Sequence, residues 1–206
     1  MKLLLHPLPI RIFHWVLFIC IMVLLFTGLY INRAWDMVLL PMRVNRKLHT
    51  LFSAVLIVNL MGHLYYYLYT RKITDVIFTL RDWVNIPSFL RYVFFIKPDH
   101  PNFGRYNPGQ KLLFSFWFLT IIIAAITGII LLFPENSQWF QRMLGGLNII
   151  RILHFYVGIF FAMSIPLHLY LVFTESPANL QAMFTGYINK DIKPEIIKKE
   201  KEDPSI

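Results

Sequence analysis

The stretch RILHFYVGIFFAMSIPLHLY, Arg151 to Tyr170, decides how this chain is read. It is apolar enough to cross a bilayer, yet it carries His154 and His168, fourteen residues apart. Ionisable side chains are costly inside a membrane, so a pair on one helix calls for a role. The rest of the chain agrees with a membrane setting: of 206 residues, 57% are hydrophobic and only 15% charged. Three more apolar stretches accompany the quoted one, and each reaches the ~20 residues of a spanning helix. The expected spans are about 10–31, 48–69, 110–133 and 152–174, an all-α integral membrane protein built as a four-transmembrane-helix bundle. None holds an interior Asp or Glu, which argues against a carboxylate-driven ion transporter.

Charge sets the expected topology. Fourteen of the 20 Lys and Arg residues fall on the side shared by the N-terminus, the second loop and the C-terminal tail. By the positive-inside rule both termini are expected in the cytoplasm, with the chain in a bacterial inner membrane. The net charge of +9 is then contact with anionic lipid, and no nucleic-acid motif is present. The second loop, Thr70 to Gly109, contains VIFTLRDWVNIPSFLRYVFFI, which reads as two interfacial helices broken at Pro87. Residues 1–190 form the expected membrane domain. Within it NLQAMFTGYI reads as a further interfacial segment, and 191–206 as a charged, mobile tail. The N-terminus imitates a signal peptide but shows no small-residue cleavage site, so the first helix is expected to be retained. Cys20 is the single cysteine, and without C-x-x-C-H any haem would be held non-covalently.

Fourteen residues rise about 21 Å along a helix and return to nearly the same face, and in a left-handed bundle they make two heptads. The second span repeats this interval with His49 and His63, and the first supplies His14. By chain direction His49 and His154 share an outer layer, while His14, His63 and His168 share an inner one. Histidines from different helices at two depths suit two six-coordinate haems, each iron taking one imidazole per side. Zinc or copper would gather its ligands in one cage instead. Spacing leaves open whether His14 or His63 partners His168. Gly28 lies fourteen residues after His14, and Gly158 one turn beyond His154; both leave room for a ring or for close helix packing. LLFTGLYI and AAITGIILLF, ending the first and third spans, echo one another faintly. Arg11, Arg46 and Arg151 are candidate propionate partners or snorkelling residues. His6 and His100, in Pro-rich contexts, are expected to be solvated.

RIFHW opening the first span, RKLHTLFS opening the second, RYNPGQK before the third and RILHFYVG…PLHLY on the fourth resemble the bacterial di-haem cytochrome b family. Within it the chain looks most like the γ, cytochrome b, subunit of respiratory formate dehydrogenases. The likeness covers about residues 7–190. It implies two b haems, one between His49 and His154 and the other between His14 and His168, with His63 the alternative to His14. It also implies a menaquinone or ubiquinone beside the inner haem, against Asn107, Gly109, Gln110 and His168. The partners it implies are periplasmic oxidoreductase subunits, one iron–sulfur and one catalytic. The resemblance therefore implies a membrane electron-transfer subunit without a primary catalytic site of its own. A free-standing quinone-linked cytochrome b is the rival of the same class. A His-based proton relay or transporter is the rival from another.

Overall fold

The computed structural model describes residues 2–32, 40–94, 96, 103, 106–174 and 177–189. The expected mobile tail at 191–206, His100, and the cations Arg33, Lys97 and Arg105 lie outside the described residues. In chain order the elements are β1 (Lys2–Leu4), α1 (Leu8–Ile31), α2 (Met42–Tyr69), α3 (Ile73–Val76), α4 (Leu80–Val93), α5 (Pro108–Leu132), α6 (Gln138–Met143), α7 (Leu147–Thr174), α8 (Pro177–Thr185) and β2 (Tyr187–Asn189). Among the described residues four helices, α1, α2, α5 and α7, are long and apolar enough to cross a membrane. Large side chains such as Phe18, Phe26, Ile126 and Met163 lie on their outer faces, as lipid-facing positions require.

The spanning helices begin two to six residues earlier than their apolar cores. Pro41 and Pro7 stand immediately before α2 and α1, where the fixed φ of proline favours a helix start. Arg43, Arg46 and Lys47 then carry the first turns of α2 as ordinary helix formers. At α5 the start is a reciprocal cap. The Gln110 N–H donates to Asn107 Oδ1 at 2.8 Å, and the Asn107 N–H donates to Gln110 Oε1 at 3.1 Å, with Pro108 at the first helical position.

The stretch expected to form two interfacial helices broken at Pro87 holds one long helix instead, with the single turn α3 before it. Helix α4 runs through that proline, and the interruption falls at residues 77–79. There the Thr79 N–H and O–H both donate to Asp82 Oδ2, each at 2.7 Å, and this cap fixes where the second helix starts. A surface helix leaves the carbonyl freed by proline to the polar boundary, so Pro87 is tolerated. Asp82 also pairs with Lys111 Nζ at 3.1 Å, and the Phe78 N–H donates to Ser115 Oγ at 2.8 Å. The loop is thereby pinned along α5.

Helix α1 packs along α2, α5 packs along α7, and α1 meets α7. Cys20, Ile21, Leu56, Ile121, Val157 and Phe161 make the buried centre of the bundle. Its chain ends meet in a feature that an all-α expectation did not contain, the antiparallel ribbon of β1 with β2 pairing Leu3 with Ile188. Gly186, at φ 89°, turns the chain from α8 into β2, and its carbonyl accepts from the N–H groups of Leu5 and His6. The ribbon puts residues 2–4 beside 187–189 at one end of the bundle. It also corrects the expectation for His6, which is buried beneath this C-terminal segment rather than solvated.

Candidate functional site

The two ends of the bundle interior carry the histidines, with the apolar centre between them. At one end His49 of α2 faces His154 of α7, with ring centroids 6.3 Å apart and planes at 68°. Each ring is tied at Nδ1 to a threonine of the neighbouring helix, His49 to Thr27 Oγ1 at 2.8 Å and His154 to Thr127 Oγ1 at 2.8 Å. The residue after each threonine is a glycine. A Cβ at Gly28 would sit 3.3 Å from His49 Cε1, and one at Gly128 would sit 3.4 Å from His154 Cε1. The faint echo between the first and third spans is therefore a repeated contact. Gly28 admits the imidazole itself, and a Cβ at Gly158 would meet no atom within 4 Å.

At the other end the histidines sit among aromatic rings. His168 packs against Trp117 (5.1 Å between centroids) and Phe114 (6.2 Å), and the Trp117 indole donates to Ser164 Oγ, one turn before His168, at 2.8 Å. His14 lies near His168, and His63 near His14. The His63 ring stacks on Phe13 at 5.1 Å and lies against Tyr67 at 4.9 Å. His14 Nδ1 and His63 Nε2 are buried without a hydrogen-bond partner.

Two buried asparagines set the register of α2 on α1. Asn45 Nδ2 donates to the Thr27 carbonyl at 3.0 Å, and Asn59 Nδ2 to the Phe13 carbonyl at 3.1 Å. Each stands four residues before a histidine, His49 or His63, so one helix face carries both the clamp and the ring. Sequence reasoning passed over these asparagines and over Thr27 and Thr127. The signal was present: the asparagines repeat the interval of fourteen, and both threonines lie in the echoed segments.

Asn107, Gly109 and Gln110 come together at the start of α5, where the first and last are engaged in the helix cap described above. A Cβ at Gly109 would sit 2.5 Å from Phe89 Cζ, so the glycine is what lets α4 lie against this end of α5. The arginines divide. Arg11 donates to the Met183 carbonyl at 3.2 Å and to that of Phe184, closing the C-terminal end of α8. Arg46 is exposed, and the exposed Arg151 donates to Asn148 Oδ1 at 3.3 Å.

The His49–His154 pair fits a metal held between two rings. Metal–imidazole bonds of about 2 Å put ring centroids on opposite sides of one ion about 6 Å apart. Among the described residues no three His, Cys, Asp or Glu side chains cluster around one point, so the arrangement is of pairs rather than of a tetrahedral cage. The unpaired nitrogens of the other layer are the kind of buried polar atom that a bound group satisfies.

Residues 5–186 match the model of the prokaryotic cytochrome b561 family. The chain is 24% identical over 187 residues to the cytochrome b556(Fdn) subunit of nitrate-inducible formate dehydrogenase from Escherichia coli (strain K12), covering 87% of this chain and 81% of that protein. The Shigella flexneri subunit of the same name matches equally well. A probable Ni/Fe-hydrogenase B-type cytochrome subunit from Cupriavidus necator is 24% identical over 155 residues, 68% of this chain and 63% of that protein.

Proposed function

This chain belongs to the prokaryotic cytochrome b561 family, and from that premise we propose how it works as the membrane electron-transfer cytochrome the family implies. It binds two b haems, the outer between His49 and His154 and the inner between His14 and His168. It passes electrons between the quinone pool and periplasmic iron–sulfur and catalytic subunits, as the names of its relatives, subunits of formate dehydrogenase and hydrogenase, suggest. Both termini face the cytoplasm of a bacterial inner membrane. The observation that carries the reading is the His49–His154 pair, 6.3 Å between centroids, with both Nδ1 atoms bonded to threonines of the neighbouring helices.

Haem b, when bound, supplies reversible one-electron chemistry inside the bilayer. The chain's own residues do the rest. His49 and His154 present facing rings from two helices, so neither can swing away without moving its threonine partner. Trp117 and Phe114 pack against the half-buried His168 and give it an apolar setting. His14, which lies near His168, is the inner partner, while His63, packed between Phe13 and Tyr67, supports that layer. Asn107, Gly109, Gln110 and His168 form the cytoplasmic quinone site, where α4 closes over the start of α5.

The test is the dithionite-reduced minus oxidised spectrum of the purified chain with a pyridine haemochromogen assay. Two b haems per chain are expected. His49→Ala and His154→Ala lose the same one, His14→Ala and His168→Ala lose the other, and His63→Ala keeps both. A folded but colourless protein would overturn the reading.

A further inference from the structure

We propose that Thr27 and Thr127 are positioning residues that fix the tautomer of His49 and His154 and strengthen both rings as electron donors to the group held between them. The inference rests on the two-haem reading above and goes beyond it, because it concerns what tunes the outer pair rather than what binds there.

A threonine hydroxyl has one hydrogen to give and lone pairs to accept with, whereas a backbone carbonyl can only accept. Thr27 Oγ1 donates to the Val23 carbonyl at 2.6 Å, which commits its one hydrogen. Its 2.8 Å contact with His49 Nδ1 must then be donated by the ring. Thr127 repeats this, donating to the Ile123 carbonyl at 2.7 Å and accepting from His154 Nδ1 at 2.8 Å. In both rings Nδ1 carries the hydrogen, so Nε2 keeps the bare lone pair that a metal needs. A ring N–H donated to an oxygen raises the basicity of the other nitrogen.

Threonines that bond back to a carbonyl four residues earlier are common in helices and have no special meaning alone. Thr120 does so to Phe116 and Thr70 to Tyr66, with no histidine at either. What separates Thr27 and Thr127 is the second bond, and the glycine that follows each. A Cβ at Gly28 would press on the Cε1 edge of His49 at 3.3 Å, and one at Gly128 would touch that of His154 at 3.4 Å. Thr-Gly is thus one device used twice: the hydroxyl holds Nδ1 and the missing Cβ admits the ring.

Stronger donation stabilises ferric over ferrous iron, so the two bonds hold the outer potential down. The experiment is a spectroscopic redox titration of the whole chain in detergent, for wild type, Thr27→Val, Thr127→Val, Thr27→Ser and Thr127→Ser. His49→Ala identifies which signal is the outer haem. Loss of such a supporting bond is expected to change metal-site properties about tenfold or more. For one electron that is an upward shift of about 59 mV in the valine variants. The serine variants stay at the wild-type value, and the inner potential does not move. An unmoved outer midpoint in both valine variants overturns the proposal, as does a serine variant that shifts as far as valine. Where a valine variant loses the haem, the serine variant decides: retention supports the role of the hydroxyl, and equal loss overturns it. Wild type lacking an outer haem would sink the two-haem reading itself, a separate result.

Discussion

Gly109→Ala separates packing from chemistry at the start of α5. The added Cβ would sit 2.5 Å from Phe89 Cζ and 2.8 Å from Phe89 Cε1, well inside contact distance. Overpacking of this kind costs about 1–3 kcal/mol. The colliding atoms are the far end of a side chain, which favours the low end of that range. Against this, α4 is held to α5 by the Asp82–Lys111 pair and the Phe89 ring packs on Phe103 at 6.1 Å, so the ring cannot swing freely. A loss of about 2 kcal/mol is expected, or roughly 4–8 °C in apparent Tm for a chain of this size. Phe89→Leu removes Cζ and with it the collision. In that background Gly109→Ala should be neutral or slightly stabilising, since alanine is favoured over glycine in a helix by about 1 kcal/mol. The assay is thermal unfolding of the four proteins in detergent, followed by far-UV circular dichroism, read as a double-mutant cycle. Equal losses in the two backgrounds would refute the steric argument. Oxidation of a quinol analogue by the same proteins adds the functional half: if Gly109 serves quinone by leaving room beside its half-buried backbone, the double variant regains stability without regaining turnover.

Two further perturbations test the supports at the polar ends. Burial alone raises the Asp82 carboxyl, but the hydrogen bonds from Thr79 and the Lys111 ammonium outweigh it and hold the group below the ordinary carboxylate range. A carboxylate lowered on folding contributes stability above its unfolded value of about 4, and that stability is lost as pH falls through the folded value. Asp82→Asn should therefore lower the apparent Tm at pH 7 by an amount corresponding to about 1 kcal/mol and converge with wild type in acid; parallel curves down to pH 3 would count against the pair. Arg11→Ala removes two donors from the C-terminal end of α8 and should speed amide exchange in 177–189 about tenfold, for a loss of about 1.4 kcal/mol, leaving the amides of α5 unchanged. Unaltered exchange in α8 would show that the ribbon alone holds the chain ends.

The spans and the depth of each histidine were legible because both follow from fixed lengths. A helix rises 1.5 Å per residue and the bilayer core is about 30 Å thick, so fourteen residues between His154 and His168 measure a depth directly. Helix ends were less legible: apolarity marks where lipid begins, whereas Pro41 and the Asn107–Gln110 cap mark where helices begin. The β1–β2 ribbon left no local trace. Three-residue strands at opposite ends of the chain carry no alternation to read, and their pairing is the most non-local contact in the fold. His6 was misread for the same reason, since its cover comes from 186–188. Pro87 misled because a proline reads as a break, while the stronger signal, Thr79 with Asp82 three residues on, lay eight residues upstream. Thr27 and Thr127 were hidden by their glycines, which have a sufficient explanation in helix packing.

The two layers differ in a way that bears on how an electron would cross. At the outer pair, α1 and α5 each offer Thr-Gly to a histidine of the next helix, so two halves of the bundle supply like supports to the two sides of one site. A six-coordinate iron has two equivalent axial positions, and such a near-symmetric frame answers that demand with one local device repeated. The inner layer is not built this way. His168 leans on Trp117 and Phe114, His63 on Phe13 and Tyr67, and His14 Nδ1 has no hydrogen-bond partner at all. On the proposed reading the threonine-held outer rings donate more strongly than His14, whose Nδ1 lacks such a bond, which places the outer potential below the inner. An electron moving inward then runs downhill between the two layers while it climbs the membrane potential, about 2.3 kcal/mol per 100 mV for a full crossing. On that reading, the difference in ring support between the two ends of the bundle would supply part of the driving force for an electron moving inward.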